Sequence, residues 1–214
     1  MSNHIKVLLF DLGGVIINIS PQITIDIFNK MSSDKNKKFN ALDYRFNTYN
    51  DTISIFFQNY EKGLVDDIYF RNQLRNFGAL QISDQEIDEI WNKVILSLNQ
   101  NLLKIIFQLR EKYSIMILSN TNSIHRIYFD NLCREIYGKT FSELFDQVFY
   151  SYELKCRKPE KEIYEHVINN SNVEPHQIMF FDDMELNLRE CEKLRSEEHT
   201  SELQSPCNLV CRLL

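Results

Sequence analysis

The chain has 214 residues, a formal net charge of −6 and no block rich in Lys or Arg, which argues against a nucleic-acid partner. Its apolar runs fall well short of the roughly 20 residues that a membrane span needs, so no membrane partner is expected. The length provides for one core of about 150 residues and a small accessory domain. Met1-Ser2-Asn3-His4 leads straight into an apolar run, so no signal peptide is expected and the cytoplasm is the expected compartment.

The first element is the run Ile5-Lys6-Val7-Leu8-Leu9-Phe10, apolar at all but one position and free of Gly and Pro. It reads as a buried parallel strand that delivers Asp11 into the turn Leu12-Gly13-Gly14. Open parallel sheets carry their chemistry at the carboxyl ends of strands. A carboxylate there serves as a metal ligand, a nucleophile or an acid/base group, and Gly13 occupies the place where a second acid would stand if the reaction needed one. From about Ile19 to Leu98 the pattern turns helical, with no strand-like alternation of any length. Ile53, Phe56, Phe57 and Tyr60 share one face, as do Ile87, Ile90, Trp91 and Val94, and this aromatic stripe reads as packing. Gly63 separates the first of these helices from Asp66–Phe77, and Gly78 is the expected helix stop.

Strands and helices then alternate. Leu102, Ile105, Ile106 and Leu109 form an apolar helix face; Ile115-Met116-Ile117-Leu118 runs into Ser119-Asn120-Thr121-Asn122. Gln147-Val148-Phe149-Tyr150 leads through a short loop to Lys158-Pro159, where Pro159 is expected to start the helix carrying Ile163 and Val167. Ile178-Met179-Phe180-Phe181 ends in Asp182-Asp183, ahead of a helix at Glu185–Leu194 that either Asp could also cap. His125, His166 and His176 have no ligand spacing and read as surface or packing residues. Four strand ends in order thus carry a carboxylate, a hydroxyl and amide, an ammonium, and paired carboxylates.

That set suits a phosphate monoester. A dianionic ester repels an anionic nucleophile, so the site must neutralise charge before attack. Mg²⁺ takes oxygen ligands, keeps waters and is held by one or two carboxylates plus a phosphate oxygen. Asp11, Asp182 and Asp183 supply carboxylates and the Gly13 carbonyl a backbone ligand. One Asp11 oxygen on the metal leaves the other to attack phosphorus and form an aspartyl-phosphate. Ser119 and the Asn120 N–H are expected to bind phosphoryl oxygens, Lys158 to balance the charge of phosphate and carboxylates, and Asn187 to orient the acidic loop.

The four motifs, FDLGGVI (Phe10–Ile16), LSNTN (Leu118–Asn122), RKP (Arg157–Pro159) and FFDDMELN (Phe180–Asn187), resemble those of the haloacid dehalogenase superfamily. The likeness extends over roughly residues 5–194. It is to the phosphatase branch with a small helical cap, and within it to bacterial glucose-1-phosphate phosphatase-type enzymes, which also read D-L-G at the first motif. The resemblance implies an α/β fold: a Rossmann-like parallel sheet flanked by helices from residues 1–18 and 99–194, and an inserted all-α cap at 19–98 that selects substrate. It implies the roles just given, with Asp183 as the direct metal ligand and Asp182 nearby or acting through water. The expected activity is a Mg²⁺-dependent phosphatase for a small, sugar phosphate-like metabolite. Most phosphatases of this type carry Asp where Gly13 stands, and such a general acid contributes ~10²–10⁴-fold. Its absence leaves three readings. One is a phosphatase whose leaving group departs easily or whose acid comes from the cap or substrate; the others are a dehalogenase and a non-catalytic phosphate-binding module. The intact motifs favour the first.

The segment Arg195–Ser205 resembles the in-frame translation of a short-read sequencing adapter, and Pro206–Leu214 the tail that accompanies it. Residues 195–214 are therefore set apart as non-native. The final core strand is then expected to be missing, which leaves a sheet edge unpaired. Cys133, Cys156 and Cys191 remain, without metal or disulfide spacing.

Overall fold

The computed structural model describes residues 4–36, 39, 52–198 and 210–211. In chain order its elements are β1 (Val7–Phe10), β2 (Ile17–Ile19), α1 (Pro21–Met31), α2 (Thr52–Glu61), α3 (Asp67–Gly78), α4 (Asp84–Trp91), β3 (Ile95–Leu98) and α5 (Gln100–Leu109). There follow β4 (Ser114–Ser119), α6 (Ser123–Tyr137), β5 (Gln147–Tyr150), α7 (Ser151–Leu154), α8 (Lys161–Ser171), β6 (Ile178–Asp182), α9 (Glu185–Glu198) and β7 (Val210–Cys211). The main sheet has the order β5-β4-β1-β6-β7, and every neighbouring pair is parallel.

The apolar strands are buried on both faces because the side-chain period of two feeds two cores. Leu8 and Phe10 join Ile115 and Ile117 in a cluster closed by α5 and α6 through Leu103, Ile106 and Phe129. Val7 and Leu9 join Met116 and Leu118 in a second cluster, closed by α8 and α9 through Ile163, Tyr164 and Leu188. This is the α/β architecture expected from the alternation of strands and helices. Among the described residues no helix is long and apolar enough to cross a membrane.

A third cluster belongs to α1–α4. Phe28, Phe57, Phe70, Leu74, Ile87 and Trp91 are buried there, and Ile124 of α6 joins them from the sheet side. Both predicted stripes lie on these helices except for Val94, which follows α4 in a 3-10 turn and joins the first cluster, and their aromatic residues are packing. The Phe70 ring stacks on Tyr60 at 3.7 Å between centroids and meets Trp91 edge-on at 5.0 Å.

Several local expectations are corrected. The ends of the stretch where no strand-like alternation shows are strands: β2 and β3 form an antiparallel two-stranded ribbon that joins α1–α4 to the core. Three and four residues are too few for an alternation to stand out. The helix after Lys158-Pro159 starts at Lys161 with Glu160 as its N-cap, so Pro159 lies before it. The left-handed cap of α3 falls on Ala79, at φ 47°, because Gly78 stays helical where the Phe39 ring lies against it. Ile105 is exposed, and Leu103 takes its place on the buried face of α5. The sheet edge expected to lack a strand carries the two-residue β7, which pairs Phe181 with Val210 and Asp182 with Cys211. Helix α9 also runs past Leu194 to Glu198; the rest of the segment set apart, 199–209 and 212–214, lies outside the described residues.

The turn between β1 and β2 is tight. The N–H groups of Ile16 and Ile17 donate to the Leu12 carbonyl at 2.9 and 2.8 Å, and the Gly14 N–H donates to the Ile17 carbonyl at 2.8 Å. Gly14 has φ +83°, and a Cβ there would lie 2.3 Å from Asp183 Oδ2. Gly14→Ala is therefore expected to destabilise the fold by about 1–3 kcal/mol and to displace the Asp183 carboxylate, read as a lowered urea midpoint. In the helical cluster, Phe70→Ala is expected to cost ~3–5 kcal/mol by the same measurement, the range for emptying a fully buried aromatic site.

Candidate active site

Strand register sets the level of the site. Phe10 pairs with Ile117 on one side and Phe181 on the other. The residues just beyond, Asp11, Ser119 and the Asp182-Asp183 pair, therefore emerge side by side at the carboxyl edge of the sheet. The Asp11 N–H continues the ladder by donating to the Phe181 carbonyl at 2.8 Å.

Lys158 arrives from the loop after α7 and is the centre of the polar network. Its ammonium, 1% exposed, lies 2.7 Å from Asp11 Oδ1 and 2.6 Å from Asp182 Oδ2. Asn120 fixes the lysine backbone from β4: its side-chain oxygen accepts from the Lys158 N–H at 2.8 Å, and its side-chain amide donates to the Lys158 carbonyl at 2.9 Å. Asn187 donates to both oxygens of Asp182, at 2.9 and 3.0 Å, and the Met184 N–H adds a further hydrogen bond at 2.8 Å. Asp182 is thereby saturated and buried. Its neighbour Asp183 is exposed and lines the cleft.

The carboxylates of Asp11, Asp182 and Asp183 offer oxygens that all lie within 4.8 Å of one another. Burial pushes the Asp11 carboxyl up to about 7; Lys158 pulls against that push, and Asp182 and Asp183 add to it. Burial also works against the Lys158 charge, but Asp11 and Asp182 outweigh it and hold the ammonium above the ordinary lysine range. Three carboxylates thus face one ammonium. A hard cation with oxygen ligands fits that imbalance, and a divalent charge would return Asp11 to its ionised form.

Asp11 uses its two oxygens differently. Oδ1 accepts from Lys158 and from the Leu12 N–H at 2.6 Å, while Oδ2 accepts no hydrogen bond among the described residues. Gly13 lines the cleft beside it. A Cβ at Gly13 would meet only the Ile19 side chain, at the ordinary contact distance of 3.4 Å. The backbone therefore does not demand glycine at 13, as it does at 14.

The cleft holds about 790 Å³ of empty space, its open mouth included. Ser119, Asn120, Lys158 and Asn187 line it together with Asp11 and Asp183. Ile17, Ile19, Val94, Ile95 and Phe129 give it apolar walls.

Four polar residues of the cleft, Glu61, Thr121, His125 and Arg157, carry no role in the sequence reading. Glu61, the last residue of α2, is paired with Arg157 at 2.8 Å, and both side chains are buried. Burial pushes the Glu61 carboxyl above the ordinary range, against Arg157 and the nearby Lys158. His125 is buried, stacks on Trp91 at 5.0 Å and is pushed down to about 4 by burial, the Trp91 carbonyl opposing. Its Nε2 lies 3.2 Å from the Trp91 carbonyl and its Nδ1 3.1 Å from the Asn122 side-chain amide, so a neutral ring that donates from Nε2 and accepts at Nδ1 satisfies both. His125 is a packing residue, as its lack of ligand spacing suggests, that also faces the cleft. Arg157 was visible in the RKP motif; nothing in the sequence marks Glu61, since a charged residue at a helix end reads as solvated.

The comparisons with known proteins agree with this geometry. The chain is 29% identical over 184 residues to the D-ribitol-5-phosphate phosphatase of Bacteroides thetaiotaomicron, covering 86% of this chain and 85% of that protein. It is similar to the structure of a haloacid dehalogenase family enzyme from the same organism in complex with magnesium and inorganic phosphate. The TM-score there is 0.75 at 33% identity, over 89% of this chain and 90% of that one. A haloacid dehalogenase-like hydrolase from Porphyromonas gingivalis shares the fold, with a TM-score of 0.74 at 24% identity over 89% and 87% of the two chains. The haloacid dehalogenase-like hydrolase family itself matches residues 5–187, and the chain belongs to that family of hydrolases.

Proposed function

We propose that this hydrolase is a Mg²⁺-dependent phosphatase that removes phosphate from a small phosphorylated polyol or sugar through an aspartyl-phosphate on Asp11. The observation that carries the reading is the meeting of the Asp11, Asp182 and Asp183 carboxylates within 4.8 Å beside a buried lysine. Such a set has a use with a phosphate ester and none with a haloacid. The similar D-ribitol-5-phosphate phosphatase and the neighbouring structure with magnesium and phosphate support the same substrate class and cofactor.

Bound among Asp11, Asp183 and the Gly13 carbonyl, Mg²⁺ would supply positive charge against the phosphoryl oxygens. Asp183 is the acid of the pair that faces the cleft, and Asp182 anchors Lys158 and Asn187. Lys158 holds Asp11 Oδ1, which leaves Oδ2 to attack phosphorus. The P–O bond to the substrate alcohol breaks as the bond to Asp11 forms, and the departing oxygen takes a proton. Water then attacks phosphorus, releases inorganic phosphate and restores the carboxylate. The Ser119 hydroxyl and the Asn120 N–H hold phosphoryl oxygens, and the Asn120 side chain keeps the lysine in place. Residues 1–18 and 99–194 make the catalytic core in this reading. Residues 19–98 are a helical cap closing over the cleft through β2 and β3, and the cytoplasm is its compartment.

The protein is expected to hydrolyse p-nitrophenyl phosphate with Mg²⁺ and to stop on chelation. Asp11→Asn is expected to lose turnover entirely, and an active Asp11→Asn enzyme removes the nucleophile assignment. Release of chloride from chloroacetate without metal would overturn phosphatase chemistry altogether. The raised Asp11 pKa sets a sign for pH. The folded protein holds a proton that the unfolded chain has lost between about 4 and 7, and a cation must displace it. Mg²⁺ affinity is therefore expected to rise about tenfold from pH 6 to pH 8 by calorimetric titration; affinity that is flat or falls with pH contradicts the shift.

A further inference from the structure

We infer that Glu61 is the specificity residue of this cleft, accepting hydrogen bonds from hydroxyl groups on the carbon chain of the phosphorylated substrate. The inference rests on the phosphatase reading and adds to it the group that recognises the part of the substrate that is not phosphate.

The polar groups at the phosphate end are engaged with one another: Asn120 with Lys158, Asn187 with Asp182, Lys158 with Asp11 and Asp182. Both ring nitrogens of His125 face partners as well. Glu61 differs. Its Oε2 accepts from Arg157 Nε at 2.8 Å, but Oε1 accepts no hydrogen bond among the described residues, although the residue is only 6% exposed and lines the cleft. That oxygen is left open on the cleft side, where a hydroxyl group of a ligand can donate to it.

The carboxylate is also held still. Its backbone carbonyl accepts from the Ser151 hydroxyl at 2.6 Å, and the next two residues are tied to the same core loop, Lys62 to Glu160 at 3.0 Å and the Gly63 carbonyl to Lys155 at 2.7 Å. Position, burial and an open acceptor make Glu61 a fixed reader rather than a mobile surface charge. The apolar walls offer contact to carbon but nothing to a hydroxyl.

D-ribitol 5-phosphate and n-pentyl phosphate test this, because both release a primary alkoxide and differ only in the hydroxyls. The wild-type enzyme is expected to prefer ribitol 5-phosphate in kcat/KM, and Glu61→Gln to reduce that preference about 10- to 100-fold. Glu61→Asp keeps a carboxylate for Arg157 but withdraws it by one methylene; it is expected to reduce the preference with a Tm near wild type. This second variant covers the case in which Glu61→Gln unfolds. Equal losses on both substrates, with the preference intact, overturn the inference and leave Glu61 structural, and so does a wild-type enzyme without the preference. If the wild-type enzyme hydrolyses neither ester nor p-nitrophenyl phosphate, the phosphatase reading itself fails, and the inference with it.

Discussion

The bridge from the Lys158 ammonium to Asp11 and Asp182 is the contact on which the rest of the site depends. Three strand tips bring carboxylates and a hydroxyl to one edge, and like charges so close would drive one another apart or take up protons. A buried ammonium 2.7 and 2.6 Å from two of them lets the set persist. Its own position is over-determined by the two hydrogen bonds of Asn120 to its backbone. Geometry this tight costs desolvation on every charge and is weak evidence for stability. Its value lies in holding one oxygen of Asp11 while leaving the other open.

The adjacent residue extends the same logic to α1–α4. Arg157 and Lys158 are neighbours in one loop, yet Arg157 pairs with Glu61 at the end of α2 and Lys158 with the strand tips. One dipeptide therefore ties the charge of the catalytic edge to the charge of the helical insert. Glu61 feels both cations. Any shift of α2 away from the loop would strand two buried charges at once, a penalty far larger than that for separating a surface pair.

Much of this was legible in the chain. Asp11, Ser119 and the acidic pair stand at the ends of apolar runs because parallel strands end where the chemistry is, and a run of four to six apolar residues is easy to see; Lys158 follows the third strand through a loop. The helical stripes around Phe57 and Trp91 were equally clear, since i, i+3, i+4 spacing persists over several turns. Short elements were not: β2 and β3 have too few residues to show a period, and β7 pairs over two residues. Nor was the division between Asp182 and Asp183, which depends on a direction of burial that adjacent identical residues do not reveal. Glu61 escaped for a related reason. Its neighbour Tyr60 completes the apolar stripe, and only the fold brings Arg157, ninety-six positions away, to its carboxylate.

The two glycines after Asp11 illustrate how backbone need and chemical role separate. Gly14 is fixed by geometry, since its positive φ and the Asp183 carboxylate leave no space for a side chain. Gly13 is under neither constraint, and ordinary contact with Ile19 is all that a Cβ would meet. A Cβ at position 13 is thus compatible with the turn, so the turn does not account for the missing acid. The neutral, doubly engaged ring of His125 does not replace it. The proton taken up by the leaving oxygen then has two sources that need no side chain at 13: water in the cleft, or a neighbouring hydroxyl of the substrate. A polyol phosphate brings such hydroxyls with it, which makes the bare α-carbon at Gly13 consistent with the same substrate class that the acceptor on Glu61 indicates.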